Sequence, residues 1–248
     1  MKKLLIAFVA AVSALSVSAG LPGLNIFNHV GVGVGAGTNG ISVELATPIT
    51  KFIGLRAGVS IMPSITFNAD AEYFYPIPQP DGTMFNGEGT IDLEGGLSRT
   101  QGQVILNFYP IPTSSFYIAA GAYFGGDKLV KISGHSDELA ELAATNGSGN
   151  ILIGDYTIPA DKNGNVSGGF KVKNFRPYLG IGFGRVNPGK FLNFSMEIGA
   201  QFQGKPELYT DYGTIEGSSI EDDNTFQKIQ KYLKVYPTLT FRLNFRVF

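Results

Sequence analysis

All six arginines lie in segments that alternate apolar with polar residues: Arg56, Arg99, Arg176, Arg185, Arg242 and Arg246. Five fall on the polar phase and share it with two acids, Glu44 and Glu197; Arg185 falls on the apolar phase near a segment end, where a long stem can snorkel. Guanidinium and carboxylate groups on one face can join in an enclosed polar network, because arginine presents a fixed fork of donors. Such a network plugs a lumen and fixes strand register. An excess of arginine over acid could instead line an anion-selective path. Matching residue numbers across the hairpin of 40–47 and 53–63 sets Glu44 directly opposite Arg56. A second pair is expected between Glu197 and Arg242.

Other chemistry-bearing residues resolve into structure. His135, Ser136 and Asp137 are the residue types of a hydrolytic triad, but they are contiguous, whereas a triad converges from separate elements. Ser136 reads as the N-cap of a short helix, Asp137 to Thr145, with acids in its first turn and Gly147 beyond its end. The other histidine, His29, stands at the start of the first alternating segment. Asp161, Asn163 and Asn165 have calcium-loop spacing, yet Val166 holds the position that needs glycine and no Glu closes the loop. Asn163-Gly164 reads as a hairpin turn. Gly184 to Lys190 approaches the phosphate-loop pattern, but Phe191 replaces the required Ser or Thr and the segment joins two strands rather than opening a helix. These readings leave no catalytic, cofactor or metal residue, and the chain is expected not to be an enzyme.

Eight segments carry the dyad repeat, at about 29–37, 40–47, 53–63, 98–109, 116–125, 174–185, 191–203 and 235–248. Their lengths suit a tilted strand crossing a bilayer, which needs roughly 10 residues. In the sixth, Phe175, Leu179, Ile181 and Phe183 alternate with Arg176, Tyr178, Gly180 and Gly182. The polar phase is mainly Gly, Ser, Asn, Gln and Arg rather than the Lys and Glu of a water-facing surface, which suits a crowded polar interior. Composition agrees: charged residues are only 16% of the chain, with 33 glycines, 12% aromatics and a net charge of −1. Disorder, coiled coil and helical bundle are disfavoured, and no basic footprint for nucleic acid exists. No cysteine is present, which excludes disulfides, thiolate metal sites and a lipid-modified N-terminal Cys.

The first 19 residues read as a secretory signal peptide: Lys2 and Lys3, an apolar run from Leu4 to Val17, and the small-x-small site Val17-Ser18-Ala19. Residues 20–248 would form the barrel domain. The connections then alternate. Thr47 to Phe52, Pro110 to Ser115 and Val186 to Lys190 are short; 64–97, 126–173 and 204–234 are long. Short periplasmic turns and long outer loops are the habit of outer-membrane barrels. The last long stretch ends in a helical pattern of Phe226, Ile229 and Leu233, and the first offers the aromatics Tyr73, Phe74 and Tyr75.

On the leader, the eight repeats and a terminal strand ending in Phe, the chain resembles the small outer-membrane β-barrels of Gram-negative bacteria, the class of the outer-membrane protein A barrel domain. The resemblance implies an all-β, eight-stranded antiparallel up-and-down transmembrane barrel in the cell outer membrane. It implies a terminal assembly strand, Leu239, Phe241, Leu243, Phe245, Val247 and Phe248, read by the insertion machinery. Phe248 departs from the pattern by falling out of phase with the apolar set. The expected partners are the lipid bilayer and that machinery, the expected state a monomer, and no cofactor is expected. The expected role is structural, with outer loops displayed for interaction or envelope integrity. The alternatives are a narrow channel or binder for small or hydrophobic solutes and, third, a lipid-modifying enzyme at the rim.

Overall fold

The computed structural model describes residues 29–78, 83–146, 150–153, 156–186, 191–213, 216–217 and 233–247. In chain order the strands begin with β1 (Gly31–Gly37), β2 (Gly40–Pro48), β3 (Ile53–Pro78), β4 (Met84–Phe108) and β5 (Phe116–Phe124). They continue with β6 (Lys128–His135), helix α1 (Asp137–Asn146), β7 (Asn150–Ile153), β8 (Tyr156–Pro159) and β9 (Asn165–Lys171). The last are β10 (Phe175–Phe183), β11 (Leu192–Phe202), β12 (Glu207–Thr210), β13 (Glu216–Gly217) and β14 (Val235–Arg246).

Eight of these form a ring in the order β1-β2-β3-β4-β5-β10-β11-β14 and back to β1, every pairing antiparallel. They are the eight dyad segments. The ring turns its apolar phase outward: Phe175, Leu179, Ile181, Phe183, Phe194 and Ile198 are all more than half exposed. Its polar phase faces inward, where Arg56, Asn107, Arg176 and Gln201 are fully buried. This inversion of the water-soluble pattern places the chain's greasiest surface on its outside. Leu239, Phe241, Leu243, Phe245 and Val247 follow the same alternation, with Phe241, Leu243 and Val247 exposed. Phe248 and the leader lie outside the described residues, as does 218–232, which holds most of the last helical pattern.

The largest departure from expectation concerns the first long connection. The described residues of 64–97 are not a loop: β3 and β4 run on beyond the ring, pairing as far as Pro78 with Met84. Pro63 and Ser64 interrupt the register between Met62 and Ile65, so one extra residue of β3 is accommodated. This bulge suits proline, which has no N–H to give to a ladder. Past it, the strands leave the ring, and the repeat is diluted with Asp, Glu and Gly. The projecting hairpin gathers the other strands around it. The order across this second sheet is β12-β9-β6-β4-β3-β7-β8-β13. Helix α1 covers one face of it with Leu139, which is fully buried with Ile91 and Val166.

Candidate functional site

The lumen is filled at mid-depth by four charged side chains from four strands. Arg56 on β3 donates Nη1 to Glu44 at 2.9 Å and Nη2 to both Glu197 oxygens at 2.5 and 2.6 Å. Arg242 on β14 donates Nε to Glu44 at 2.8 Å and Nη2 to Glu197 at 3.2 Å. Tyr178 donates its hydroxyl to Glu197 at 2.6 Å, and Arg56 Nε reaches Asn107 at 3.3 Å. Side-chain exposure across the four charges is 0–3%. Two cations and two anions balance, so the cluster is neutral as a whole.

Both expected ion pairs therefore form, but not by the expected register. Glu44 stands directly opposite Gly58, and Arg56 opposite Ala46. Ile53 is drawn into the turn, where its carbonyl accepts from Ile49 and Thr50, which slides the ladder by two. The long arginine fork spans the offset, and Gly58 leaves room for Glu44: a Cβ there would lie 2.8 Å from Glu44 Cγ. Glu197 likewise pairs in register with Thr240, not Arg242.

Two other arginines need correcting. Arg185 does not snorkel outward. β10 ends at Phe183, Gly184 takes a φ of +117°, and the alternation stops there. The guanidinium instead lies 4.6 Å from the ring of buried Tyr109 and donates to the Pro112 carbonyl. Arg246 keeps the inward phase and is exposed at the end of β14.

Tyrosines flank the charges on both sides, Tyr109 and Tyr117 toward the short turns and Tyr123 and Tyr178 toward the long-loop end. Tyr109 and Tyr117 pack at 5.5 Å, and Tyr123 meets Tyr178 edge-on at 5.2 Å. The alternating glycines make this possible. A Cβ on Gly182 would fall 2.2 Å from the Tyr117 ring, and one on Gly199 2.5 Å from the Tyr178 ring. These tyrosines belong to the site and were not singled out in the sequence; the signal was Gly180 and Gly182 on the inward phase of the strand next to Tyr117. Above the charges the lining is amide and arginine: Gln101, Gln103, Gln201 and Gln203 with Arg99 and Arg176, all buried.

The projecting sheet carries a groove made of two adjoining cavities that share Glu94 and Ser133. One, of about 310 Å³, has Lys128 and Lys131 in its wall. The other, of about 510 Å³, has Asp70, Asp92 and His135. Asp70 and Asp92 are direct cross-strand partners, a like-charge pairing that costs stability. His135 bridges Asn165 at 3.0 Å and Asp137 at 3.1 Å. His135 and Asp137 thus meet, while Ser136 is buried at the start of α1, where its carbonyl accepts from Ala140. Asp161 receives the backbone N–H groups of Asn163 and Asn165 and the Asn165 side-chain amide, all within 2.9 Å. The calcium-like spacing is a hairpin turn, with Gly164 at a φ of +73°. Of the phosphate-loop look-alike, 187–190 lie outside the described residues; Gly184 links two ring strands. The backbone of Tyr73, Phe74 and Tyr75 runs within β3.

No protein-family model matches the chain, and no curated protein does. Two crystal structures from Acinetobacter baumannii are similar to it. CarO2 aligns with a TM-score of 0.50 at 18% identity, over 88% of this chain and 98% of that one. CarO aligns with a TM-score of 0.46 at 18% identity, over 88% of this chain and 97% of that one. At that identity the likeness to CarO2 is one of fold: this chain is an all-β, antiparallel protein built on an eight-strand ring.

Proposed function

We propose that this is an outer-membrane β-barrel protein whose ring anchors the projecting sheet at the cell surface, and that the sheet is its working part. The observation that carries this reading is the mid-lumen network, whose side chains are at most 3% exposed. It occupies the barrel's centre with mutually neutralised charge and leaves the shaped, solvent-facing chemistry to the sheet. Membrane residence is supported by the outward apolar belt and by the fold shared with CarO2. In this reading residues 1–19 are removed on export. The insertion machinery reads the β14 strand, and the barrel works as a monomer by binding rather than by catalysis. The groove, basic at Lys128 and Lys131 and acidic at Asp70, Asp92 and Glu94, supports a charged, polar partner.

Three measurements test this. The protein should fractionate with outer membranes and migrate differently on gels before and after boiling. Ile181→Lys, in the middle of the belt, should impair insertion by about 2–4 kcal/mol. The exposed Lys162 should be labelled on intact cells by an impermeant amine reagent. A soluble periplasmic protein with no heat shift would sink the membrane reading. A narrow solute channel is the second reading, favoured by the polar lining of Gln101, Gln103 and Gln201. Stepwise conductance of the wild-type protein in planar bilayers would put it first.

A further inference from the structure

Arg99 and Arg176 differ from every guanidinium of the mid-lumen network: among the described residues, neither has a carboxylate within 4.0 Å. Both are buried, at 4% and 0% exposure. Their partners are neutral. Arg99 donates to the Gly126 carbonyl at 2.9 Å and to Gln203 at 3.0 Å. Arg176 donates to the carbonyls of Lys173 at 2.9 Å and Gly125 at 2.5 Å, and to Gln101 at 3.1 Å. Because Gly125 and Gly126 are consecutive, two full positive charges share one small region at the long-loop end of the lumen. Each keeps an enclosed donor without an acceptor, Arg99 Nη2 and Arg176 Nε. Gln103 Nε2 on β4 and Asn39 Nδ2, bonded through its oxygen to Gln201, are likewise enclosed and unmatched.

A buried cation held only by dipoles is costly, and so is each buried donor left unmade. Here both costs fall on the same spot and have the same remedy. We propose that the outer end of the lumen binds a small monovalent anion, held between Arg99 and Arg176. A single charge is the right count: Asp127, next to Gly126, already sends one negative charge's field to both arginines. The enclosure of the free donors limits the ligand to the size of a halide or a short carboxylate. The site is independent of the surface-binding role proposed above.

The test uses the whole protein refolded in detergent micelles, melted in sodium chloride, sodium acetate or sodium gluconate at equal ionic strength. Gluconate is too bulky for the site. The expected result is a saturable rise in the unfolding temperature with chloride, acetate or both, relative to gluconate. It should reach about 3–6 °C at tenfold over the dissociation constant. A response to one anion alone supports the site and names its ligand. The Arg99→Gln/Arg176→Gln variant should lose the difference between salts, while Lys128→Gln, on the projecting sheet, should keep it. If the double variant fails to fold, bromide-soaked wild-type crystals replace it, with an anomalous peak expected against both guanidiniums and its absence counting against the site. Equal melting of the wild type in all three salts would overturn the proposal, and so would a salt response that survives in the double variant.

Discussion

The same two strands, β3 and β4, build both the ring and the projecting sheet, yet the two regions are held by different physics. Inside the ring, Arg56, Arg242, Glu44 and Glu197 are locked at 0–3% exposure. In the sheet, the ion pairs lie open: Lys128–Asp211 at 54% and 35%, Lys171–Glu207 at 43% and 70%. Charges shielded from water attract strongly but pay for lost hydration, whereas exposed pairs are screened to near indifference. The bulge at Pro63 and Ser64 marks the change of regime along one continuous hairpin. Burial rather than distance therefore sets energetic weight: Lys128–Asp211 at 3.1 Å and Arg242–Glu197 at 3.2 Å are near equals in distance only.

The sharpest way to break this contrast is to delete one partner in each region. Arg56→Ala leaves two buried carboxylates that share Arg242 as their one cation among the described residues. The expected loss is about 3–5 kcal/mol, read as a lower urea midpoint for the refolded protein. Lys128→Ala should cost no more than about 1 kcal/mol. Equal losses would mean that burial does not separate the two regions.

A second test stays within the ring. Gly182→Ala puts a Cβ 2.2 Å from the Tyr117 ring. The Tyr117 side chain is fully enclosed and cannot swing aside, so overpacking should cost about 1–3 kcal/mol. The same change at Gly96, where the nearest atom to a new Cβ is 3.8 Å away, should be mild. A double-mutant cycle of Gly182→Ala with Tyr117→Ala should show coupling above about 0.5 kcal/mol. Additive losses would show that the glycine and the ring do not share one space.

Where the ring sorts residues by phase, apolar outward and polar inward, the sequence is readable. Ile181 out and Arg176 in follow from alternation alone, because a misplaced phase would move every inward polar group of the strand onto the apolar outer face. That rule located all eight ring strands and the inward arginines. It stopped where the ring stops. Beyond Pro63 nothing forces one phase to be apolar, so 64–97 looked like a loop although its backbone pairs as regularly as the ring's. Register was the other blind spot, since a two-residue slip preserves the phase; only the turn chemistry at Thr50 and Ile53 sets it. That Arg99 and Arg176 meet neutral acceptors and no carboxylate among the described residues depends on which strands face each other across the lumen, which no local pattern records.

In the sheet, local turn chemistry should outweigh its ion pairs. Asp161→Ala removes the acceptor of three amide groups within 2.9 Å. The expected cost is about 1 kcal/mol, confined to the β8–β9 turn. Faster amide exchange at Asn163 and Asn165, with an unchanged urea midpoint for the ring, is the expected signature. A shifted midpoint would show that sheet and ring unfold as one unit.

The smallest effect is the most selective, because acid acts on the sheet through carboxyls that are not enclosed. The Asp211 carboxyl is held below its ordinary range by the Ser167 hydroxyl at 2.7 Å and by Lys128 at 3.1 Å. Asp161 is lowered in the same way, first by the Asn165 side-chain amide. A carboxyl that binds its proton less readily when folded contributes stability above the unfolded value of about 3.9. That contribution fades as the pH falls below this value and through the folded one. Lys128 runs the opposite way: Asp211 raises it, so its contribution holds below about pH 10.4 and is lost above. The sheet should therefore loosen at both extremes. Hydrogen exchange, corrected for intrinsic rates, should show β6, β9 and β12 losing protection as the pH falls from about 4 downward. Exchange that rises equally in β10 and β11 would mean that acid acts on the whole molecule, and that the two regions share more of their stability than their chemistry implies.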